Sequence, residues 1–169
     1  MKRDASMSVV TELFGCAAGL TIEEVVMSTL YDDDVAAWAK EQVALLRTGQ
    51  WALLDVEHIV EEIEDMNISH RHQLAHRMVI LMAHMLKWKY QPDRRGKSWI
   101  NTMRTQREAI AKLFRKMPSL RKLLDEAEWD DEVWRDAVEL AGREANLTDL
   151  PKDREWAFGL VLKDGYLPS

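Results

Sequence analysis

The sequence predicts an all-α protein, a single-domain bundle of about five main helices joined by short connections. Three observations carry that prediction. Glycine and proline are scarce, seven and four in 169 residues, which leaves little chain for a turn-rich architecture. Ala, Leu, Glu, Lys and Arg dominate, and all are good helix formers. Apolar residues recur at three- and four-residue intervals and nowhere alternate in the manner of a half-buried strand.

Taken in order, residues 1–26 read as a loosely attached N-terminal extension, with Gly15, Gly19 and a capping box at Thr21 and Glu24. Met27 reads as a second translation start, and the bundle domain is expected over 27–169. Asp32 or Asp33 caps a helix carrying Val35, Trp38, Val43, Leu45 and Leu46, which Gly49 ends. Asp55 caps the next helix, where Val56, Ile59, Val60, Ile63 and Met66 form an apolar stripe and Asn67 supplies a left-handed stop. Ser69 restarts a helix that reaches about Tyr90 and is closed by Pro92. Ser98 caps a helix to Lys116. Pro118 breaks it, and Ser119 opens another to Ala145 with a kink near Trp129. A short helix around 154–162 and a turn at Gly165 close the chain.

Composition narrows the function classes. The chain is long enough to bury ~70% of its unfolded surface in one core. No apolar run approaches the ~20 residues that span a bilayer, so no membrane role is expected. A single cysteine, Cys16, rules out an intramolecular disulfide and a four-thiolate zinc site, and points to a reducing, cytoplasmic setting. Leu13 to Cys16 after Lys2 and Arg3 resembles a lipoprotein signal only faintly, since Glu12 interrupts the apolar stretch and Phe14 is bulky.

Net charge is −6, but it is segregated along the chain. Residues 31–65 hold ten acids and two bases, residues 86–122 hold twelve bases and two acids, and residues 123–169 hold thirteen acids and five bases. The middle block pairs internally or offers a docking surface to an anionic partner. Arg94, Arg95, Lys97, Arg104 and Arg115 are the candidate partner-binding cations. Trp88, Tyr90 and Trp99 interleave with them, as phosphate contacts with base stacking require, so a protein or nucleic-acid partner through 87–122 is expected. Trp129 and Trp134 either pack inside or leave a patch for homo-oligomerisation.

One polar cluster is nominated. The helix reaching Tyr90 is apolar around most of its circumference, with Leu74, Met78, Leu81, Met85 and Trp88 on one face, and belongs at the centre of the bundle. Gln73, Arg77, His84, Lys87 and Gln91 nevertheless form a stripe along it, and unpaired burial of such groups costs a few kcal/mol each. Glu62 and Glu64 of the preceding acidic helix are the expected partners for His84, Lys87 or Arg77, with Gln106 and Arg107 completing the set. The cluster is either an acid/base or ligand-binding constellation or a polar network that fixes helix register. His72 and His76 are four residues apart, but there is no His-Glu-x-x-His motif, no paired Glu-x-x-His and no phosphate loop or nucleophile elbow, so neither metal nor cofactor is expected. The chain therefore reads as a non-enzymatic interaction module using its basic face. The alternative is an enzyme or small-ligand binder at the Glu/His/Lys/Arg cluster.

A string of short motifs then resembles one bacterial family. Leu30-Tyr31-Asp32-Asp33-Asp34, Trp38, Gln42, Leu45-Leu46-Arg47 and Gly49 match its opening. Leu54-Asp55, Glu61-Glu62-Ile63-Glu64, His84-Met85-Leu86-Lys87, Tyr90-Gln91-Pro92, Ser98-Trp99 and Gln106-Arg107 continue it. The family is domain of unknown function number 29, and the resemblance covers residues 27–125 well and the last third loosely. It implies an all-α fold, a bacterial source and no established activity, so it supplies no catalytic residues. Asn67 stands where that family usually has glycine, and His58 where Asn is common.

Overall fold

A computed structural model describes residues 31–169. The expected extension at 1–26, with Cys16 and the Thr21 capping box, lies outside the described residues. The fold is all-α. The α-helices are α1 (Val35–Thr48), α2 (Val56–Tyr90), α3 (Lys97–Lys116), α4 (Ala127–Ala145) and the single turn α5 (Phe158–Val161), with 3-10 turns at Trp51–Leu53, Pro92–Arg94 and Pro118–Asp125. The chain divides into two compact units, Met1–Asp65 and Met66–Ser169.

Local chemistry sets most of the boundaries. Asp34, one residue beyond the expected cap, accepts from the backbone N–H of Ala37 and starts α1. Gly49, at φ 72°, ends α1 in the left-handed conformation and returns its N–H to Leu45 and Leu46. Asp55 accepts from the N–H of His58 at the start of α2. Pro92 and Pro118 push Gln91 and Met117 out of helical geometry and end α2 and α3.

Two expected boundaries are absent. Asn67 is an interior residue of α2, which runs unbroken for 35 residues; among the described non-glycine residues only Asn146 has positive φ. Ser69 therefore restarts nothing. The helices expected at 55–66 and 69–90 are one, because a side chain that tolerates a left-handed turn does not impose it. Conversely, the helix expected over 119–145 is two elements. An eight-residue 3-10 stretch occupies Pro118–Asp125, and extended Glu126, rather than a kink at Trp129, separates it from α4. Asn146 supplies the left-handed stop that had been assigned to Asn67. Ser98 and Ser119 cap nothing; α3 begins from Gly96 without a side-chain cap.

In the unit from Met66 onward, α2 supplies the centre of the core. Leu74, Met78, Leu81, Met82, Ala83, Met85 and Leu86 are fully buried. Met103, Ile110 and Phe114 of α3, Leu120 and Leu123 of the 3-10 stretch, and Trp129, Val133, Ala137 and Ala141 of α4 join them. Phe158 and Val161 of α5 close the cluster. The N-terminal unit has little of this: Trp38 is its one buried apolar side chain among the described residues.

Candidate functional site

The nominated polar residues separate into four groups. The pairing expected of Glu62 or Glu64 with His84 and Lys87 rests on two separate helices, but all four belong to one continuous helix, α2. Glu62 instead accepts a hydrogen bond from the Tyr31 hydroxyl at 2.9 Å, and Glu64 is exposed.

Lys87 is the centre of the second group. Its side chain is only 6% exposed, and the ammonium donates to Glu144 of α4 at 2.6 Å. It also donates to His84 Nε2 at 3.3 Å and lies 5.7 Å from the centroid of the Trp99 ring. His84 Nδ1–H donates to the Ile80 carbonyl at 2.9 Å, so the imidazole is a neutral tautomer presenting its Nε2 lone pair to the lysine. Burial, reinforced by the Lys87 charge, holds His84 below its usual 6.5 despite the Ile80 bond. The hydrogen bond from Lys87 holds Glu144 below the ordinary carboxylate range. Sequence reasoning found Lys87 and His84 but missed Glu144, whose place among thirteen acids of the last block gives it no distinguishing mark.

Arg107 makes the third group. It is buried on the inward face of α3, donating through Nε to Val161 O and through Nη2 to Tyr166 O, each at 2.8 Å. Burial lowers its pKa, partly offset by Asp164. The guanidinium ties the C-terminal segment to α3, a fork geometry that suits two converging carbonyls. Arg77 and Gln106 form the fourth group, the guanidinium donating to the amide oxygen at 3.2 Å.

The candidate partner-binding cations are all exposed. Arg95 is committed to its own chain, donating to Trp88 O at 2.8 Å with its guanidinium over the Trp88 ring. Tyr90 donates to Glu155, and Trp99 faces Lys87, so the aromatics expected for base stacking are used internally. Lys97, Arg104, Lys112 and Arg115 fall within about 80° of one another around α3, opposite the buried arc of Met103, Ile110 and Phe114. Glu108 is the one acid within that stripe, 3.9 Å from Arg104.

Two further constellations were not nominated. In the N-terminal unit, Asp55 holds His58 Nδ1 at 2.6 Å and accepts from Trp38 Nε1 at 3.1 Å, and Tyr31 stacks on His58 at 4.1 Å. The Tyr31 phenol is pushed up to about 12, first by its hydrogen bond to Glu62. In the other unit, a cleft of about 410 Å³ between α2 and α4 is lined by Arg71, His72, His76, Trp129, Glu132 and Asp136 among others. Among the described residues no three His, Cys, Asp or Glu side chains are placed to hold a metal ion.

A family model for domain of unknown function DUF29 matches residues 30–167. The chain belongs to the DUF29 family. The match extends through the C-terminal segment that Arg107 anchors, beyond the 27–125 stretch where the motif string is densest. No curated protein and no solved structure matches this DUF29 chain. No helix among the described residues is long and apolar enough to cross a membrane.

Proposed function

We propose that this DUF29 chain is a non-enzymatic interaction module whose α3 face docks an anionic partner, protein or nucleic acid. One observation carries the reading. Six of the twelve cations of the basic block form two sets with different work. Lys87 and Arg107 are buried and paired with groups of their own chain. Lys97, Arg104, Lys112 and Arg115 line one exposed stripe opposed by Glu108 alone. A row of like charges at helical spacing repels itself unless an anion lies across it.

The Lys97→Glu/Arg104→Glu/Arg115→Glu variant changes exposed positions, so its melting temperature should stay within a few degrees of wild type. Affinity capture on the tagged full chain, followed by mass spectrometry and nucleic-acid staining, should lose the partners recovered with wild type. Full recovery of every partner by the variant would exclude the α3 face.

A second reading, acid–base or ligand chemistry, has support from the buried Lys87 amine beside neutral His84. The 2.6 Å bond to Glu144 weighs against it, since the amine is already neutralised by its own chain.

A further inference from the structure

Eight of the twelve exposed large hydrophobic residues among those described lie between positions 35 and 63, in the unit whose described residues bury only Trp38 among apolar side chains. Six of them form two rows. Val56, Val60 and Ile63 recur at helical spacing on α2, and Val35, Val43 and Leu46 make a second row on α1. The two helices run in opposite directions, since Tyr31 bonds to Glu62 whereas Gln42, further along, accepts from the backbone N–H of Asp55. Each row is turned from its helix's contact face in the same helical sense, by about a fifth of a turn on α1 and a third on α2. For helices of opposite direction, equal sense places both rows on one side of the pair.

The two edges of this side carry opposite charge. Lys40 and Arg47, the only bases among residues 31–65, lie about a quarter turn beyond the α1 row, on the edge away from α2. Glu57 and Glu64 lie about as far beyond the α2 row, on the edge away from α1. All four are exposed, and none forms an ion pair with another described residue. Glu41 and Glu61 fall on the opposite side of the pair.

A helix of uniform charge laid on this side would meet one like-charged edge. A second copy does not. A two-fold axis normal to the side exchanges its edges, so the basic edge of each copy falls on the acidic edge of the other. It also lays α1 of one copy parallel to α2 of the other. Lys40 and Arg47 are seven residues apart, as are Glu57 and Glu64, about 10 Å along either helix. Setting Lys40 beside Glu57 of the second copy therefore sets Arg47 beside its Glu64, and the axis repeats both pairs. Within one copy Lys40 stands level with Glu57, because Gln42 stands level with Asp55, so the axis in that register crosses both apolar rows. We propose that the chain forms a homodimer by closing the open side of the α1–α2 pair around this axis, with Lys40 and Arg47 of each copy against Glu57 and Glu64 of the other. The proposal does not rest on the α3 face, and its test reads a different set of residues.

The side covers roughly 400 Å² on each copy, at the small end of specific interfaces, so a micromolar dimer is expected. Sedimentation of the full chain between about 1 and 200 µM should show a monomer–dimer equilibrium. Val60→Glu with Ile63→Glu, both at exposed positions, should leave it monomeric throughout. Lys40→Glu with Arg47→Glu, and separately Glu57→Lys with Glu64→Lys, should each weaken self-association about tenfold or more. Mixed in equal amounts, these two charge variants should recover a one-to-one heterodimer, which misfolding of either could not give. Lys97→Glu on α3 should leave the dimer within about twofold of wild type. A wild-type chain that stays monomeric at the highest concentration would overturn the proposal. So would a dimer that survives Val60→Glu with Ile63→Glu, or charge variants that fail to complement each other.

Discussion

Arg107 donates to two backbone carbonyls, those of Val161 and Tyr166, each at 2.8 Å. Arg107→Ala should therefore cost about 2–4 kcal/mol, measured by denaturant unfolding, since it strands a buried acceptor at Val161 and a partly buried one at Tyr166. Arg107→Lys should recover little of that, because a point charge cannot serve two carbonyls as a planar fork does. His84 makes the acid limit of stability readable. Its folded pKa lies below 6.5, so as pH falls through 6.5 the unfolded chain takes up a proton that the folded chain refuses. Its contribution is fully present above that value and is lost on the acid side. Glu144 adds a second loss below its ordinary 4.5. The unfolding midpoint of wild type should drop between pH 7.5 and 5.5, and His84→Gln should flatten that drop; a wild-type midpoint level across the window contradicts the burial of a neutral imidazole. Lys87, His84 and Arg107 were legible as interior polar residues because they sit among apolar neighbours on their own helices. Their partners were not. Glu144 and the carbonyls of Val161 and Tyr166 are chosen by tertiary packing, which residue spacing on one helix does not encode.

The elements that were legible are those ended by backbone chemistry without alternatives. Gly49, Pro92 and Pro118 stop helices wherever they fall, by a permitted left-handed turn or by a missing N–H and ring clash. Asparagine is a weaker signal, and the chain holds both outcomes. Asn67 is helical within α2, whereas Asn146 closes α4 at φ 54°. The same substitution should thus act with opposite signs. Asn67→Ala should stabilise by about 0.5 kcal/mol through helix propensity. Asn146→Ala should destabilise by about 1 kcal/mol through left-handed strain, and Asn146→Gly should be tolerated. Thermal unfolding of the three variants checks this, and destabilisation by Asn67→Ala would contradict an unbroken α2. The apolar stripe of Val56, Val60 and Ile63 shows the limit of periodicity: it gives the face a helix prefers to bury, but not whether the same chain covers it.

At the scale of the whole molecule, the all-α class followed from composition and spacing, which act locally and so survive errors in individual boundaries. Function sits at the other extreme, because membership in DUF29 carries no reaction with it and the buried cations Lys87 and Arg107 are paired with groups of their own chain. What remains for a partner is surface, and the charge segregation of the sequence reappears there as the exposed cations of α3. The most direct measurement is retention of captured partners on the tagged full chain during elution with rising NaCl. Glu108→Gln removes the one acid of the stripe and should move elution to higher salt than wild type, while Lys97→Glu/Arg104→Glu/Arg115→Glu should move it to lower salt or abolish retention. Elution of all three proteins' partners at the same salt concentration would contradict docking on α3.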